Sequence, residues 1–150
     1  MLTMSSLKSL LPDRFTFQCE IPLRITDLNY GGHVGNDRIM ALLQEARVQF
    51  LAASGFGELA FEEAGLILTK AQLELRCELH YGYPLRAAVQ AVNFTSKGFD
   101  LFYKVETVIG DKPTLAVLAI TTMVCYDYEK KKTVPLSERA KQQLTSVLRQ

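Results

Sequence analysis

The chain alternates between apolar and polar positions in several separate segments, and this alternation predicts β-strands. In residues 15–26, Ile21, Leu23 and Ile25 share one face, which is typical of a half-buried strand. Four further strand-like segments follow, at 66–80, 84–96, 99–109 and 113–128. Turn residues separate these four segments at 81–84, 96–98 and 110–113. Short links of this kind favour antiparallel neighbours.

Two segments have helical character. Residues 37–54 are rich in residues of high helix propensity, and Gly55 and Gly57 follow them as a stop. Apolar residues occur most of the way around this helix: Ile39, Met40, Leu42, Leu43, Ala46, Val48, Phe50 and Leu51. A helix that is apolar on nearly all sides is buried. A second, amphipathic helix is predicted at 137–149, beginning at Ser137.

The order of these elements predicts an α+β fold in a single domain over residues 1–150. Five long antiparallel strands need something to cover their apolar face, and the helix at 37–54 is the candidate. A sheet wrapped around one central helix, here with an added C-terminal helix, is the hot-dog arrangement. Long edge strands need partners, so we expect at least a dimer.

Charge and composition exclude several classes of function. The chain has 17 basic and 16 acidic residues and a net charge of +1, which gives no electrostatic basis for binding nucleic acid or a membrane surface. No apolar run is long enough for a transmembrane helix, and no signal peptide is indicated. The cysteines Cys19, Cys77 and Cys125 lie far apart without the spacing of a zinc site. We interpret them as reduced packing residues of a cytoplasmic protein, with no role for a metal.

The segment DLNYGGHVGND, residues 27–37, stands between the first strand and the central helix. Glycine permits positive φ and close approach of a ligand or another backbone, and Asn and Asp suit a helix start. The segment is therefore either a tight structural turn with a helix cap, or a site at a helix N-terminus. Free N–H groups and the helix dipole make such a terminus favourable for negative charge.

Two motifs carry a resemblance to a known family. Asp27 is followed by Gly32-His33-Val34-x-Asn36, and Glu45-Ala46-Arg47 comes later on the helix. Together they resemble the 4-hydroxybenzoyl-CoA thioesterase-like branch of the hot-dog superfamily. The resemblance implies hydrolysis of an acyl-CoA or acyl carrier protein thioester without a separate cofactor. It also implies a homodimer or homotetramer with sites shared between subunits.

The resemblance also assigns roles around the helix N-terminus. It implies that the backbone N–H of Asn36, with those of Gly35 and Asp37, polarises the thioester carbonyl. Gly31, Gly32, Val34 and Gly35 would bind the substrate close to the backbone. Asn36, Asp37 and His33 also have structural interpretations, as helix caps and as a packed histidine.

One position departs from the family pattern. The family reads Asp-x-Asp-x-x-Gly, and its second Asp is the catalytic carboxylate, whereas this chain has Asn29 there. A neutral amide does not take a proton from water at pH 7. The candidates for the missing base are Asp27, which a continued strand would turn inward, His33, Asp37 and Glu45. His33 suits the task near neutral pH, and plant-type acyl carrier protein thioesterases, which resemble this stretch, keep a His there.

Glu45 has no cation three or four residues away on the helix. On a buried helix it would need a partner, for which we consider Arg47 of a second subunit, a backbone group or reacting water. Two rival functions remain open on the same fold. One is a non-catalytic acyl-CoA-binding sensor, which Asn29 favours. The other is an enoyl-CoA hydratase, a class that uses Asp-x-Asn-x-x-His, although His33 comes one residue later than in that pattern.

Overall fold

The computed structural model describes residues 6–147 and contains one mixed α+β unit. The helices are α1 (Asn36–Ala53) and α2 (Glu138–Thr145). The strands are β1 (Phe17–Ile21), β2 (Gly65–Leu75), β3 (Leu85–Val92), β4 (Gly98–Ile109), β5 (Lys112–Asp127) and β6 (Lys132–Thr133). Short 3₁₀ helices form at Leu7–Leu10 and Ile25–Asp27.

All five long strands join one antiparallel sheet in the order β1-β3-β4-β5-β2. The helix α1 packs on the face that carries the large buried side chains, among them Phe17, Tyr103 and Met123. The predicted hot-dog arrangement of a five-stranded sheet around one long helix is confirmed. The two-residue strand β6, which pairs with the end of β5, was not predicted, because two residues carry no alternation to detect.

Several elements were predicted to be longer than they are. The first strand ends at Ile21, because Pro22 follows and the chain turns into the 3₁₀ helix Ile25–Asp27. The strand predicted at 66–80 ends at Leu75, although Leu79 and His80 keep contacts with the loop before α1. The C-terminal helix begins after Ser137, whose side chain caps it as predicted, and ends at Thr145. Residues 148 and 149 of that prediction lie outside the described residues.

The prediction that α1 is buried on nearly all sides was wrong for a single chain. Its buried residues form one face: Ile39, Leu43, Ala46, Arg47, Phe50 and Leu51. Val48 is 45% exposed, and Met40 and Leu42 are only half-buried. One sheet covers one side of a helix, so the opposite side faces solvent unless a second molecule covers it.

A buried polar network ties α1 to the sheet and to the loop that follows the helix. Arg47 donates from Nε to Glu58 Oε1 at 2.5 Å and from its terminal nitrogen to the Tyr103 hydroxyl at 3.3 Å. That hydroxyl shares a 2.7 Å hydrogen bond with the buried Thr121. Burial alone lowers the pKa of Arg47, but Tyr103 and Glu58 more than offset this, so its pKa lies above the ordinary value. The partner of Arg47 is therefore Glu58 of the same chain, and not an acid of a second subunit.

Among residues 6–147, no helix is both long and apolar enough to cross a membrane.

Candidate functional site

The loop before α1 is a small, tightly bonded turn. Leu28 and Val34 form an isolated antiparallel bridge, and the Asn29 N–H donates to the His33 carbonyl at 2.8 Å. The side-chain oxygen of Asn29 accepts from the Gly31 N–H at 2.8 Å. Gly32 closes the turn with φ of +79°, a conformation that favours glycine. The first function of Asn29 is thus to shape the turn that presents His33 and Val34.

The turn is followed directly by the N-terminus of α1, which has no side-chain cap. Gly35 occupies the cap position and supplies no side-chain hydrogen bond. The N–H groups of Asn36 and Asp37 donate to no acceptor among the described residues, whereas those of Arg38 and Ile39 bond to the Gly35 carbonyl. The first N–H groups of a helix point outward along its axis. Two of them are therefore available to a bound oxygen. The Gly35 N–H, which was predicted to share this role, is not available, because it donates to the Asp27 carbonyl at 3.2 Å.

A cavity of ≈ 250 Å³ lies beside this N-terminus. On the α1 side it is lined by His33, Val34, Asn36 and Ile39. Leu75 and Val117, which pair across β2 and β5, contribute apolar surface. The segment after β2 completes the lining with Arg76, Cys77, Glu78 and Leu79. Three of the predicted site residues, His33, Val34 and Asn36, are thus brought to one cavity.

The remaining predicted residues lie outside this lining. Asp27 does not face inward on a strand: it lies in a 3₁₀ helix, where its carboxylate accepts from the Arg24 N–H at 2.9 Å. Asp37 has a side chain that is 83% exposed, and its carboxylate lies over Gly35. Gly31 and Gly32 belong to the exposed turn. Gly35, also predicted to contact substrate, is likewise absent from the lining.

Glu45 is also placed differently from the prediction. It lies two turns into α1 on the exposed side, and its carboxylate accepts a 2.9 Å hydrogen bond from Gln49. The expected pairing with Arg47 of another subunit does not fit, because that guanidinium is buried against Glu58. Glu45 needs no cation from a second subunit, because Gln49, one turn further along the helix, supplies a neutral hydrogen-bond donor.

Sequence reasoning missed the side of the cavity that follows β2. Glu78 lines the cavity, and His80 Nε2 lies 3.5 Å from Glu78 Oε2. The His80 ring packs edge-to-face against His33, with ring centroids 6.3 Å apart. Burial raises the pKa of the Cys77 thiol, so this residue is mostly protonated at neutral pH. The only signal in the sequence was the pair Glu78 and His80 at the end of a predicted strand.

A larger cavity of ≈ 760 Å³ lies at the other end of α1, between the loop after the helix, β5 and α2. Its lining includes Phe56, Phe61, Lys130 and Arg139. An 18-residue helix is about 27 Å long, so this cavity is remote from the motif. We place the candidate site at the smaller cavity, because there Asn36, whose N–H is free, meets the titratable side chains of His33 and Glu78 beside the motif. Among residues 6–147, no cluster of three or more His, Cys, Asp or Glu could hold a metal ion.

Comparison with known families identifies the family of the chain. A family model described as the thioesterase-like superfamily matches residues 23–144, which includes the motif, α1 and all the later strands. The chain belongs to the thioesterase-like superfamily. The resemblance inferred from the two motifs is confirmed, and so is the enzyme class, thioesterase, at the level of this superfamily. No curated protein matches the chain significantly.

Solved structures show the same fold at low sequence identity. A 1,4-dihydroxy-2-naphthoyl-CoA thioesterase from Synechocystis is 18% identical with a TM-score of 0.74, over 85% of this chain and 94% of that one. The 4-hydroxybenzoyl-CoA thioesterase from Pseudomonas sp. strain CBS-3 is 14% identical with a TM-score of 0.76, over 87% and 99%. A DHNA-CoA thioesterase from Staphylococcus aureus is 16% identical with a TM-score of 0.71, over 79% of each chain. This member of the thioesterase-like superfamily therefore shares the hot-dog fold of these proteins.

Proposed function

We propose that this member of the superfamily hydrolyses acyl-CoA thioesters in the cavity beside the N-terminus of α1. The proposal is supported by the free N–H groups of Asn36 and Asp37 at the start of α1, since Asn36 itself lines a cavity of ≈ 250 Å³ to which Leu75 and Val117 contribute apolar surface. The 1,4-dihydroxy-2-naphthoyl-CoA and 4-hydroxybenzoyl-CoA thioesterases that share this fold are named for aromatic acyl groups, so an aromatic acyl-CoA is the first to test. An acyl carrier protein thioester has the same reacting group and is the alternative substrate.

The chemistry follows from where charge develops during hydrolysis. When water attacks a thioester, the carbonyl oxygen becomes negative in the tetrahedral intermediate. Backbone donors fixed by a helix stabilise that oxygen without reorganising, and removing one such donor typically costs about 10²–10³ in rate. The positive end of the α1 dipole adds to this stabilisation. We place the carbonyl against Asn36 and Asp37, with His33 and Val34 in contact with the bound thioester.

The predicted dimer or tetramer fits the exposed surfaces of the chain. The edge strand β2 is exposed over 69–73, where its outer backbone groups lack a neighbouring strand. Leu73, Leu75 and Val48 are 37%, 48% and 45% exposed. Because Leu75 also lines the cavity, a second copy on this edge would close one side of the site. Light scattering of the purified protein measures the mass in solution, and a monomer would contradict this part of the proposal.

A second candidate, a non-catalytic acyl-CoA sensor, is favoured by Asn29, since this position lacks the family's carboxylate. The two functions differ in turnover. We would measure free thiol released from short, long and aromatic acyl-CoAs, with the acid product confirmed by mass spectrometry. Release well above the rate without protein supports hydrolysis. Tight binding of acyl-CoA with no thiol release from any substrate would establish the sensor and contradict the thioesterase.

A further inference from the structure

Glu78 has a position that the motif does not explain. Among the residues that line the cavity it is the only carboxylate, and it shares that lining with Asn36 and His33. A cavity of ≈ 250 Å³ is equivalent to a sphere about 8 Å across, so a substrate that reaches Asn36 lies close to Glu78. The Glu78 side chain is 66% exposed, so water has direct access to its carboxylate.

The other carboxylates near the N-terminus of α1 do not line the cavity. Asp27 is held by the Arg24 N–H, and Asp37 lies outside, over Gly35. Glu45 bonds to Gln49 on the exposed side of the helix. The group that replaces the family's second Asp therefore has to come from another part of the chain.

His33 lines the cavity, and one of its ring nitrogens lies against backbone while the other lies near Gly31. Its Nδ1 lies 3.3 Å from the Val34 carbonyl oxygen, to which it can donate. Its Nε2 faces Gly31, and a Cβ added to that glycine would lie 3.4 Å from the nitrogen. An imidazole held in this way is suited to shaping the turn and contacting the substrate. The carboxylate of Glu78, which water reaches directly and whose Oε2 lies 3.5 Å from His80 Nε2, is better placed to take a proton from water.

We propose that Glu78 is the general base of the site and that His80 positions it. This proposal rests on the proposed thioester hydrolysis and adds to it the residue that replaces the missing aspartate. A Glu78 carboxylate oxygen accepts a proton from water while the water oxygen bonds to the thioester carbon. The oxyanion lies against the N–H groups of Asn36 and Asp37. When the C–S bond breaks, the Glu78 carboxyl returns the proton to the thiolate sulfur, which gives the free acid and the thiol.

His80 is a positioning residue in this scheme. Its Nε2 lies 3.5 Å from Glu78 Oε2, and its ring packs edge-to-face against those of His33 and Tyr83, with centroids 6.3 and 5.4 Å away. The backbone of the same segment is fixed to the turn, because the Val34 N–H donates to the Leu79 carbonyl at 2.8 Å. The segment that carries Glu78 is therefore tied to the segment that carries Asn36.

The test compares Glu78→Gln, Glu78→Asp and His80→Gln with a matched control, Glu129→Gln, in the thiol-release assay on the best acyl-CoA of the panel. Glu129 is an exposed glutamate beyond the far end of β5. Loss of a general base typically lowers the rate about 10²–10⁴-fold, so we expect kcat of Glu78→Gln to fall at least about 100-fold with KM within about threefold. Glu78→Asp should keep more activity than Glu78→Gln. For His80→Gln, kcat should fall about 3–10-fold and its pH profile should shift.

Folding is checked by circular dichroism and thermal unfolding of each variant. If Glu78→Gln keeps kcat within threefold of wild type, the inference is overturned while thioester hydrolysis stands. A folded His33→Gln that loses all turnover beside an active Glu78→Gln would assign the base to His33 and also overturn it. If the wild type hydrolyses no acyl-CoA, the proposed function itself fails and the role of Glu78 fails with it.

Discussion

Replacing Glu58 by glutamine should lower the free energy of unfolding, because it removes the anionic partner of a buried guanidinium. The Arg47 side chain is 6% exposed and that of Glu58 is 26% exposed. Breaking a fully buried ion pair costs about 3–5 kcal/mol. A quarter of Glu58 faces water and the new amide oxygen still accepts a hydrogen bond, so we expect a loss of about 2 kcal/mol.

Urea unfolding followed by far-UV circular dichroism measures this loss. For a chain of this size, a loss of about 2 kcal/mol corresponds to a fall in Tm of about 4–8 °C. All variants are compared at one protein concentration, because subunit association would add a concentration-dependent term. Glu129→Gln, at an exposed position, should stay within about 0.5 kcal/mol of wild type.

A double variant distinguishes the ion pair from simple packing. Arg47→Met combined with Glu58→Gln removes both charges, so the loss should be smaller than the sum of the two single losses by about 1 kcal/mol or more. If Glu58→Gln proves as stable as the control, or if the two single losses simply add, the pair does not hold α1 to its loop.

Three further outcomes follow from the site. Asn29→Ala should lower the free energy of unfolding by about 1 kcal/mol through loss of the hydrogen bond from the Gly31 N–H, and Asn29→Asp should not; urea unfolding of both variants decides this. Gly32→Ala should lower the free energy of unfolding by about 1–2 kcal/mol, because a residue with a Cβ is strained at φ of +79° even though the added Cβ meets nothing within 4 Å. An unchanged urea midpoint would show that the turn adapts. At pH 7 a thiol reagent should modify the half-buried Cys77 slowly and spare Cys125, whose pKa burial raises to about 11. Acyl-CoA should slow Cys77 modification further, and equal rates with and without ligand would contradict substrate binding in this cavity.

The sequence pattern was a good guide to the elements and a weaker guide to their ends. Alternation of side chains identifies the five long strands, because one face of each is buried. It does not show that the second strand stops at Leu75, since the following residues keep an alternating pattern while bonding to the turn at 28–34. The sequence also overestimates the burial of α1. Its apolar residues show which positions could be buried, but how many sides of the helix are covered depends on what packs against it in the assembled fold.

The candidate site could be predicted only on the side that carries the motif. Asn36 and His33 are close in sequence and lie where the helix begins, so their meeting at one cavity was foreseeable. Glu78 is separated from them by about 40 residues and reaches the cavity only because Val34 bonds to the segment after β2. The pairing of Arg47 with Glu58 was missed for a related reason, since Glu58 lies in the loop after the helix, beyond the range of helical neighbours.

A crystal structure of the protein with an acyl-CoA analogue, in which a methylene group replaces the thioester sulfur, would show where the carbonyl binds. We expect the carbonyl oxygen within about 3 Å of the Asn36 and Asp37 nitrogens, with the acyl group beside His33 and Val34. An acyl group bound instead in the ≈ 760 Å³ cavity at the other end of α1, with the Asn36 N–H left in water, would show that the proposed site is wrong.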